Sequence, residues 1–458
     1  LDESLFSHET HIQKLISVLS KGNNLAFAEN KIYNKRRNFF VKRCGWEVIF
    51  MAVHVINEAR RCLQCKKPLC RLKGCPIQTN VPEMIRLFLE GKTDEAGKML
   101  FDNNPLSIVC SLVCDHEHQC EGNCIQGKRK DGAAIQIPNI ENYISDSYFD
   151  RIKIEKAPDT GKQVAIIGAG PAGITIAIKL AEKGHNITIF ERMDKVGGMM
   201  RYGIPAFRLP RIILDRYQTK LREMGIHFRP NTSIGGALHL DDLFNDGYDA
   251  VFIGTGVWRP NRTHCKGESL GNVHFAVDYL QNPEAYDLGD TVAIIGAGNS
   301  AIDVARTVVR QGSRNVTLYA RRQRIAASQR ELDYAAVDGI DIQQGMAIKE
   351  FTPEGPIFIP RTFDDEGNCI REDEPVLMKA DSTIIAISQG PKDKIVNTAH
   401  DLKINEKGLI VIDENGKTSI EGVFASGDVV AGSKNVVLAV AYSKKVADAM
   451  DEYLKSKQ

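Results

Sequence analysis

The sequence predicts an α/β fold, and three observations carry that prediction: two strand–glycine turn–helix stretches about 128 residues apart, and a run of eight cysteines ahead of both. The first stretch, residues 163–192, reads QVAIIGAGPAGITIAIKLAEKGHNITIFER. Residues 164–167 form a short apolar run. Gly168, Gly170 and Gly173 follow as G-x-G-x-x-G, with Pro171 and Ala172 between the last two glycines. An apolar-periodic helix then runs to about Lys183, Gly184 stops it, and Asn186–Phe190 makes a second strand ending in Glu191 and Arg192. The first glycine allows a tight turn, the second lets the backbone approach a pyrophosphate, and the third lets helix and strand pack closely. The helix N-terminus offers free N–H groups and a positive dipole end to the phosphates. An acid at the strand end suits ribose hydroxyls.

The second stretch, residues 291–322, repeats the pattern as TVAIIGAGNSAIDVARTVVRQGSRNVTLYARR. Gly296, Gly298 and Ala301 give G-x-G-x-x-A, with Asn299 and Ser300 inside the turn. Here the second strand, 316–319, ends in Ala320, Arg321 and Arg322, with Arg324 beyond and no acid. Guanidinium groups suit a 2′-phosphate, so this site favours NADP(H) over NAD(H); a solvated basic face is the bland alternative. Two sites of different polarity point to FAD at the first and a nicotinamide cofactor at the second. The predicted architecture is two Rossmann-like domains.

The remaining elements follow in order. Residues 1–57 form an extension without an assigned function, with helical periodicity around 11–19 and a basic cluster of Lys35, Arg36, Arg37, Lys42 and Arg43 that reads as a solvated face. Residues 58–157 carry Cys62-x2-Cys65-x4-Cys70-x4-Cys75-Pro76 and Cys110-x3-Cys114-x5-Cys120-x3-Cys124, separated by helical stretches at 81–90 and 94–101. Cys-Pro ending a cysteine run is an iron–sulfur feature, while C-x2-C is equally a zinc signature. Burial as free thiols is the third reading. Residues 158–288 hold the first nucleotide fold. Gly197 and Gly198 there permit close backbone approach to a large ligand, and Arg201 follows as a candidate contact. A helix near 213–224 and a strand at 249–255 complete this part. Residues 289–387 hold the second nucleotide fold. The chain then returns, over 388–458, to the first domain, where a short strand ends in Gly427 and Asp428. Asp428 either caps the helix that follows or holds a ribityl hydroxyl.

Composition narrows the class. Of the 458 residues, 43% are apolar and 26% charged, as in ordinary globular proteins. A net charge of +1 argues against nucleic-acid binding by bulk electrostatics. No apolar run is long enough to cross a membrane; the nearest, residues 46–56, reads as a buried helix. Residue 1 is Leu, which points to a fragment or a processed form, and no signal peptide opens the sequence. Eleven cysteines, an odd number with eight in 62–124, fit metal ligation in a cytoplasmic redox enzyme better than disulfides.

With these residues in hand a resemblance is specific. Arg61-Cys-Leu-Gln-Cys65, Gly74-Cys-Pro76, Asn104-Pro-Leu106, Gly168-Ala-Gly-Pro-Ala-Gly173, Gly203-Ile-Pro-Ala-Phe-Arg-Leu-Pro210, Gly296-Ala-Gly-Asn-Ser-Ala301 and Ala425-Ser-Gly-Asp428 are the motifs. Over residues 57–454 the chain resembles the family of the glutamate synthase small (β) subunit. That family also contains the N-terminal half of dihydropyrimidine dehydrogenase and its bacterial NAD-linked subunit, and the large subunit of NADH-dependent ferredoxin:NADP oxidoreductase.

The resemblance implies an α-helical domain with two 4Fe–4S clusters, then an FAD-binding domain split by an inserted NAD(P)-binding domain. It assigns Cys62, Cys65, Cys70 and Cys124 to one cluster, and Cys75, Cys114, Cys120 and Glu141 to the other, leaving Cys110 spare. The chain departs from the pattern by one extra residue between Cys70 and Cys75 and another near 128–132. The implied activity is transfer of electrons from NADPH through FAD and the clusters to a larger flavoprotein or iron–sulfur subunit in a hetero-oligomer. Hydride transfer needs no acid–base residue, so none is assigned as catalytic. A stand-alone NAD(P)H reductase or ferredoxin:NADP oxidoreductase-type subunit is the alternative enzyme, and a zinc-stabilised nucleotide-binding scaffold the alternative outside enzymes.

Overall fold

In a computed structural model, residues 54–130, 132–153 and 156–457 are described. The expected helix at 11–19, the basic cluster at 35–43 and most of 46–56 lie outside them.

The cysteine-bearing part is helical: α1 (Val81–Leu89), α2 (Thr93–Asn103), α3 (Ser107–Val113) and α4 (Ile137–Phe149). Pro82 and Pro138, at or next to the first helical position of α1 and α4, bring a preset φ where no N–H partner is lost. The apolar faces of α1 and α4 meet, burying Met84, Ile85, Ile140 and Ile144 completely, worth roughly 2 kcal/mol per side chain. Cys120 and Cys124 belong to the same core, so the thiols hang from a packed scaffold.

The nucleotide half runs β1 (Gln163–Ile167), α5 (Pro171–Glu182), β2 (Asn186–Phe190), α6 (Arg211–Glu223), β3 (His227–Arg229), β4 (Ala250–Ile253), β5 (Val273–Phe275), β6 (Thr291–Ile295), α7 (Asn299–Gln311), β7 (Asn315–Ala320), α8 (Gln329–Val337) and β8 (Asp341–Gln344). It continues with β9 (Met346–Thr352), β10 (Gly355–Phe363), β11 (Cys369–Glu372), β12 (Val376–Leu377), β13 (Ser382–Ile385), β14 (Val423–Ala425) and α9 (Val436–Ser456). Two parallel five-stranded sheets result, ordered β14-β4-β1-β2-β3 and β5-β13-β6-β7-β8. In each, a glycine turn follows the central strand, and β1, β4 and β6 are almost wholly buried, as parallel strands covered on both faces are. β14 brings the chain back into the first sheet, so the second is an insertion.

One expectation is corrected and one element is new. The second sheet takes its edge strand, β5, from before residue 289; the glycine turn marks only a central strand, so the boundary placed at 288/289 falls too late. The antiparallel sheet β9–β12 was not foreseen. Its alternation is interrupted by Pro356 and Pro360, residues that sequence reasoning takes as arguments against a strand.

The C-terminal helix α9 lies along α5. Asp451 on α9 ties the two together, accepting from His185 Nε2 at 3.0 Å, Lys183 Nζ at 3.0 Å and Lys455 Nζ at 2.9 Å.

Candidate nucleotide and cluster sites

The first glycine turn is enclosed. Gly168 has φ +104, and a Cβ there would sit 2.6 Å from the Gly254 carbonyl oxygen; a Cβ on Gly173 would sit 1.9 Å from that of Gly168. Gly198, at φ +50, lies over the turn, and its Cβ would come within 2.8 Å of Gly170 Cα. No side chain fits at these places, which leaves a narrow cradle of backbone. Glu191 braces it: Oε2 accepts from the Ala169 amide at 2.7 Å and Oε1 from Met193 N at 2.8 Å. Burial pushes its carboxyl up, partly offset by these two bonds.

A cavity of about 320 Å³ opens from this cradle. Of the expected contacts, Gly168, Gly170, Pro171, Ala172, Glu191, Arg192, Gly198, Asn299, Ser300, Gly427 and Asp428 line it. Both glycine-turn units therefore face one space. Asp428 is pushed up to about 6 by burial and accepts from the Lys434 amide at 3.2 Å. Arg201 does not line the cavity. Its guanidinium is spent on the Val196 carbonyl at 2.7 Å and on Asp215 at 2.6 Å, so it holds the Gly197–Gly198 turn in place instead of reaching a ligand. Gly173 packs under the turn.

The second turn is open. Gly296 has φ +135 against the Ala386 carbonyl, but a Cβ on Gly298 would meet nothing within 4 Å. Ala301 is fully buried beneath. Asn299 Oδ1 accepts from Ser328 N at 3.0 Å. Arg321, Arg322 and Arg324 follow β7 exposed, without a hydrogen-bond or ion-pair partner among the described residues. They are free to take an anion.

Sequence reasoning missed several lining residues. Lys392, Lys394 and Lys434 join Arg192 as cations on the cavity, and Arg192 stacks 4.3 Å from the Trp258 ring centroid. Asp303 lines the cavity too. One oxygen accepts from Arg208 at 2.7 Å, while Oδ1, fully buried, has no partner among the described residues. Burial raises its carboxyl to about 6 against the pull of Arg208. Arg208 stood in a motif quoted above, and Asp303 lies one helical turn past Asn299, so spacing could have found both.

The thiols sort into two groups. Cys62, Cys65, Cys70 and Cys124 line one small cavity. Burial, then Cys124 and its neighbours, push Cys70 up to about 12. Cys75, Cys114, Cys120 and Glu141 form the other group. Burial raises Cys75 and Cys120, Cys110 and burial raise Cys114, and the Glu141 carboxylate adds to all three. Glu141 is itself buried on α4, without a hydrogen-bond or ion-pair partner among the described residues, and burial pushes it up to about 8. Buried carboxylates are normally paired or coordinate metal. Four thiols around one small cavity, and three thiols beside a buried carboxylate, are donor sets that fit a cationic inorganic guest. Among the described residues no three His, Cys, Asp or Glu side chains are grouped closely enough to hold one metal ion. Cys110 lies buried on α3, which packs on α4 and α9, its thiol hydrogen-bonded to that of Cys114.

Residues 162–443, and also 133–246, match the family model of pyridine nucleotide-disulphide oxidoreductases; residues 46–152 match that of dihydropyrimidine dehydrogenase domain II, 4Fe-4S cluster. The chain is 32% identical over 435 residues to the glutamate synthase [NADPH] small chain of Azospirillum brasilense, spanning 88% of this chain and 89% of that one. The chain belongs to this family. It is likewise 33% identical over 432 residues to the Escherichia coli small chain, covering 87% of this chain and 91% of its relative. To the NAD-dependent dihydropyrimidine dehydrogenase subunit PreT of Salmonella typhimurium it is 32% identical, covering 88% and 95%. Among solved structures, Mycobacterium tuberculosis FprA in complex with NADPH shares the fold at TM-score 0.54 and 16% identity, over 66% of this chain and 85% of that one.

The protein is thus a flavin and iron–sulfur oxidoreductase of the electron-transfer kind, and the scaffold alternative is set aside. No helix among the described residues is long and apolar enough to cross a membrane.

Proposed function

We propose that the protein takes electrons from NADPH and delivers them, through FAD and two 4Fe–4S clusters, to a larger flavoprotein or iron–sulfur subunit in a hetero-oligomer. One observation carries this reading: the cavity that both glycine turns face is also lined by Val113, the residue before Cys114. The nucleotide sites and the inner cysteine group therefore share a wall. When bound, FAD would accept hydride from the nicotinamide, and the clusters would pass its electrons on singly.

The chain's own residues position these groups. Gly168, Gly170, Pro171, Ala172 and Gly173 cradle the FAD pyrophosphate, with Arg192 and Lys434 supplying positive charge. Glu191 keeps lone pairs for ribose hydroxyls, and Asp428 faces the ribityl chain. Asn299, Ser300 and the α7 N-terminus hold the dinucleotide phosphates, and the unpaired Arg321, Arg322 and Arg324 hold the 2′-phosphate. Asp303 holds the Arg208 guanidinium at the cavity wall, 2.7 Å away. Cys62, Cys65, Cys70 and Cys124 hold one cluster, and Cys75, Cys114, Cys120 and Glu141 the other. A carboxylate is a harder donor than a thiolate and shifts the potential of its cluster. None of the ten cysteines among the described residues is in a disulfide, which suits a cytoplasmic setting.

The test is metal analysis on two variants. Anaerobically prepared protein is expected to hold about eight irons, with equal acid-labile sulfide. Glu141→Ala should lose or alter one cluster while keeping FAD and its reduction by NADPH, and Cys110→Ser should keep both clusters. Loss of half the iron in Cys110→Ser with none lost in Glu141→Ala would overturn the ligand assignment.

A further inference from the structure

The overall charge of +1 conceals a segregation. Residues 60–73 carry Arg60, Arg61, Lys66, Lys67, Arg71 and Lys73 and no acid, and residues 126–130 add Lys128, Arg129 and Lys130. Arg61 is paired with Glu58. Arg60, Lys66, Lys67, Lys73, Lys128, Arg129 and Lys130 are exposed and have no ion-pair partner among the described residues.

Both stretches flank the cavity of the outer cysteine group, whose walls include Cys62, Leu63, Cys65 and Gln126. Leu63 and Leu72 stand out among the cations, 38% and 53% exposed. Apolar tips ringed by charge are the anatomy of a docking site. Position supports the same reading. The inner group adjoins the nucleotide cavity through Val113 and has two of its four side chains, Cys120 and Glu141, buried, whereas three of the outer group's four, Cys62, Cys65 and Cys70, are half-buried and only Cys124 is buried. The redox centre nearest the surface is the one beneath the basic patch.

We infer that residues 60–73 and 126–130 form the docking surface for an acidic electron-accepting protein, seated over the outer cysteine group. This rests on the electron-transfer reading above. Each encounter moves one electron to the acceptor's one-electron centre. Oxidation of one NADPH to NADP⁺ thus reduces two acceptors and releases one proton, with no bond formed between the proteins. Unpaired cations steer an acidic partner and lose that effect as salt rises.

The test uses holoprotein loaded with FAD and clusters, NADPH as donor, and three acceptors: an acidic plant-type ferredoxin, the basic protein cytochrome c, and ferricyanide. Lys66→Glu/Lys67→Glu/Lys73→Glu is compared with Lys128→Glu/Lys130→Glu, and with Lys379→Glu as a control on the antiparallel-sheet side. At low ionic strength each patch variant should cut kcat/KM for ferredoxin by about tenfold and flatten its salt dependence. Iron content and the ferricyanide rate should not change, the cytochrome c rate should rise, and Lys379→Glu should match wild type. An unchanged ferredoxin rate in both patch variants overturns the inference, as does tight binding of a single-stranded oligonucleotide through these lysines with the ferredoxin rate untouched. Wild-type holoprotein whose flavin is reduced by NADPH but which passes electrons to none of the three acceptors overturns the electron-transfer reading itself.

Discussion

The two glycine turns share a sequence pattern and differ in what lies over them. At the first, Gly198 closes on Gly170 and Glu191 is bonded to the turn's own Ala169 amide. At the second, Gly298 faces open space and the strand ends in three unpaired arginines. A roofed backbone cradle suits a ligand that stays, and an open turn with exposed cations suits one that comes and goes. On the proposed reading, equivalent motifs would serve a resident cofactor and an exchanging one, and the distinction lies outside the motif.

The comparison breaks most visibly at Gly198. A side chain there meets Gly170 backbone at 2.8 Å in a left-handed conformation, a strain of about 1–3 kcal/mol before any ligand is considered. Gly198→Ala should lose most of its FAD, measured as flavin absorbance per chain, while still binding to an immobilised 2′,5′-ADP column. Retained flavin would show that the roof is not needed.

The arginines come next. Arg321→Ala/Arg322→Ala should raise KM for NADPH by roughly tenfold or more and leave that for NADH nearly unchanged, because a guanidinium fork reads a phosphate dianion and an NADH ribose offers none. Equal shifts for both nucleotides would mean that the arginines form only a solvated face.

Gly298→Ala sharpens the contrast from the other side. Its φ is −95 and its Cβ has room, so Tm should stay within about 2 °C of wild type. KM for either nucleotide should nonetheless rise several-fold, because the methyl group occupies the phosphate approach.

The smallest effect concerns the frame of the first unit. Burial opposes ionisation of Asp451, yet Lys455, His185 and Lys183 outweigh it and hold the carboxyl at about 2. A carboxyl lowered on folding contributes stability above its unfolded value of about 4 and loses it as the pH falls toward 2. Asp451→Asn should therefore lower Tm at pH 7 and converge on wild type near pH 2. A constant difference across that range would remove the ionic explanation.

Much of this was legible in the sequence, for definable reasons. β1, α5 and β2 each carry a local signal: an apolar run, a glycine turn, a helix stopped at Gly184. Cys62 to Cys124 stood out as candidate ligands because thiol spacing is a local property. The elements that failed depend on partners far away in sequence. β5 is a strand because β13 lies beside it. Arg201 looks like a free cation until Asp215 and the Val196 carbonyl claim it. Asp303 looks like a solvated helix residue until Arg208 arrives from the other nucleotide unit. Glu141 is the intermediate case: its burial beside three thiols cannot be seen in the stretch IQIPNIENY, and only the family pattern singled it out.

The claim at the centre is that electrons cross from the nucleotide cavity, past Val113, into the cysteine domain. Low-temperature EPR of anaerobic holoprotein mixed with NADPH tests it most directly. The account predicts flavin bleaching accompanied by a reduced iron–sulfur signal, and no such signal from flavin-stripped protein under the same conditions. Complete flavin reduction with no iron–sulfur signal at any excess of NADPH, in protein whose iron content is full, would contradict it.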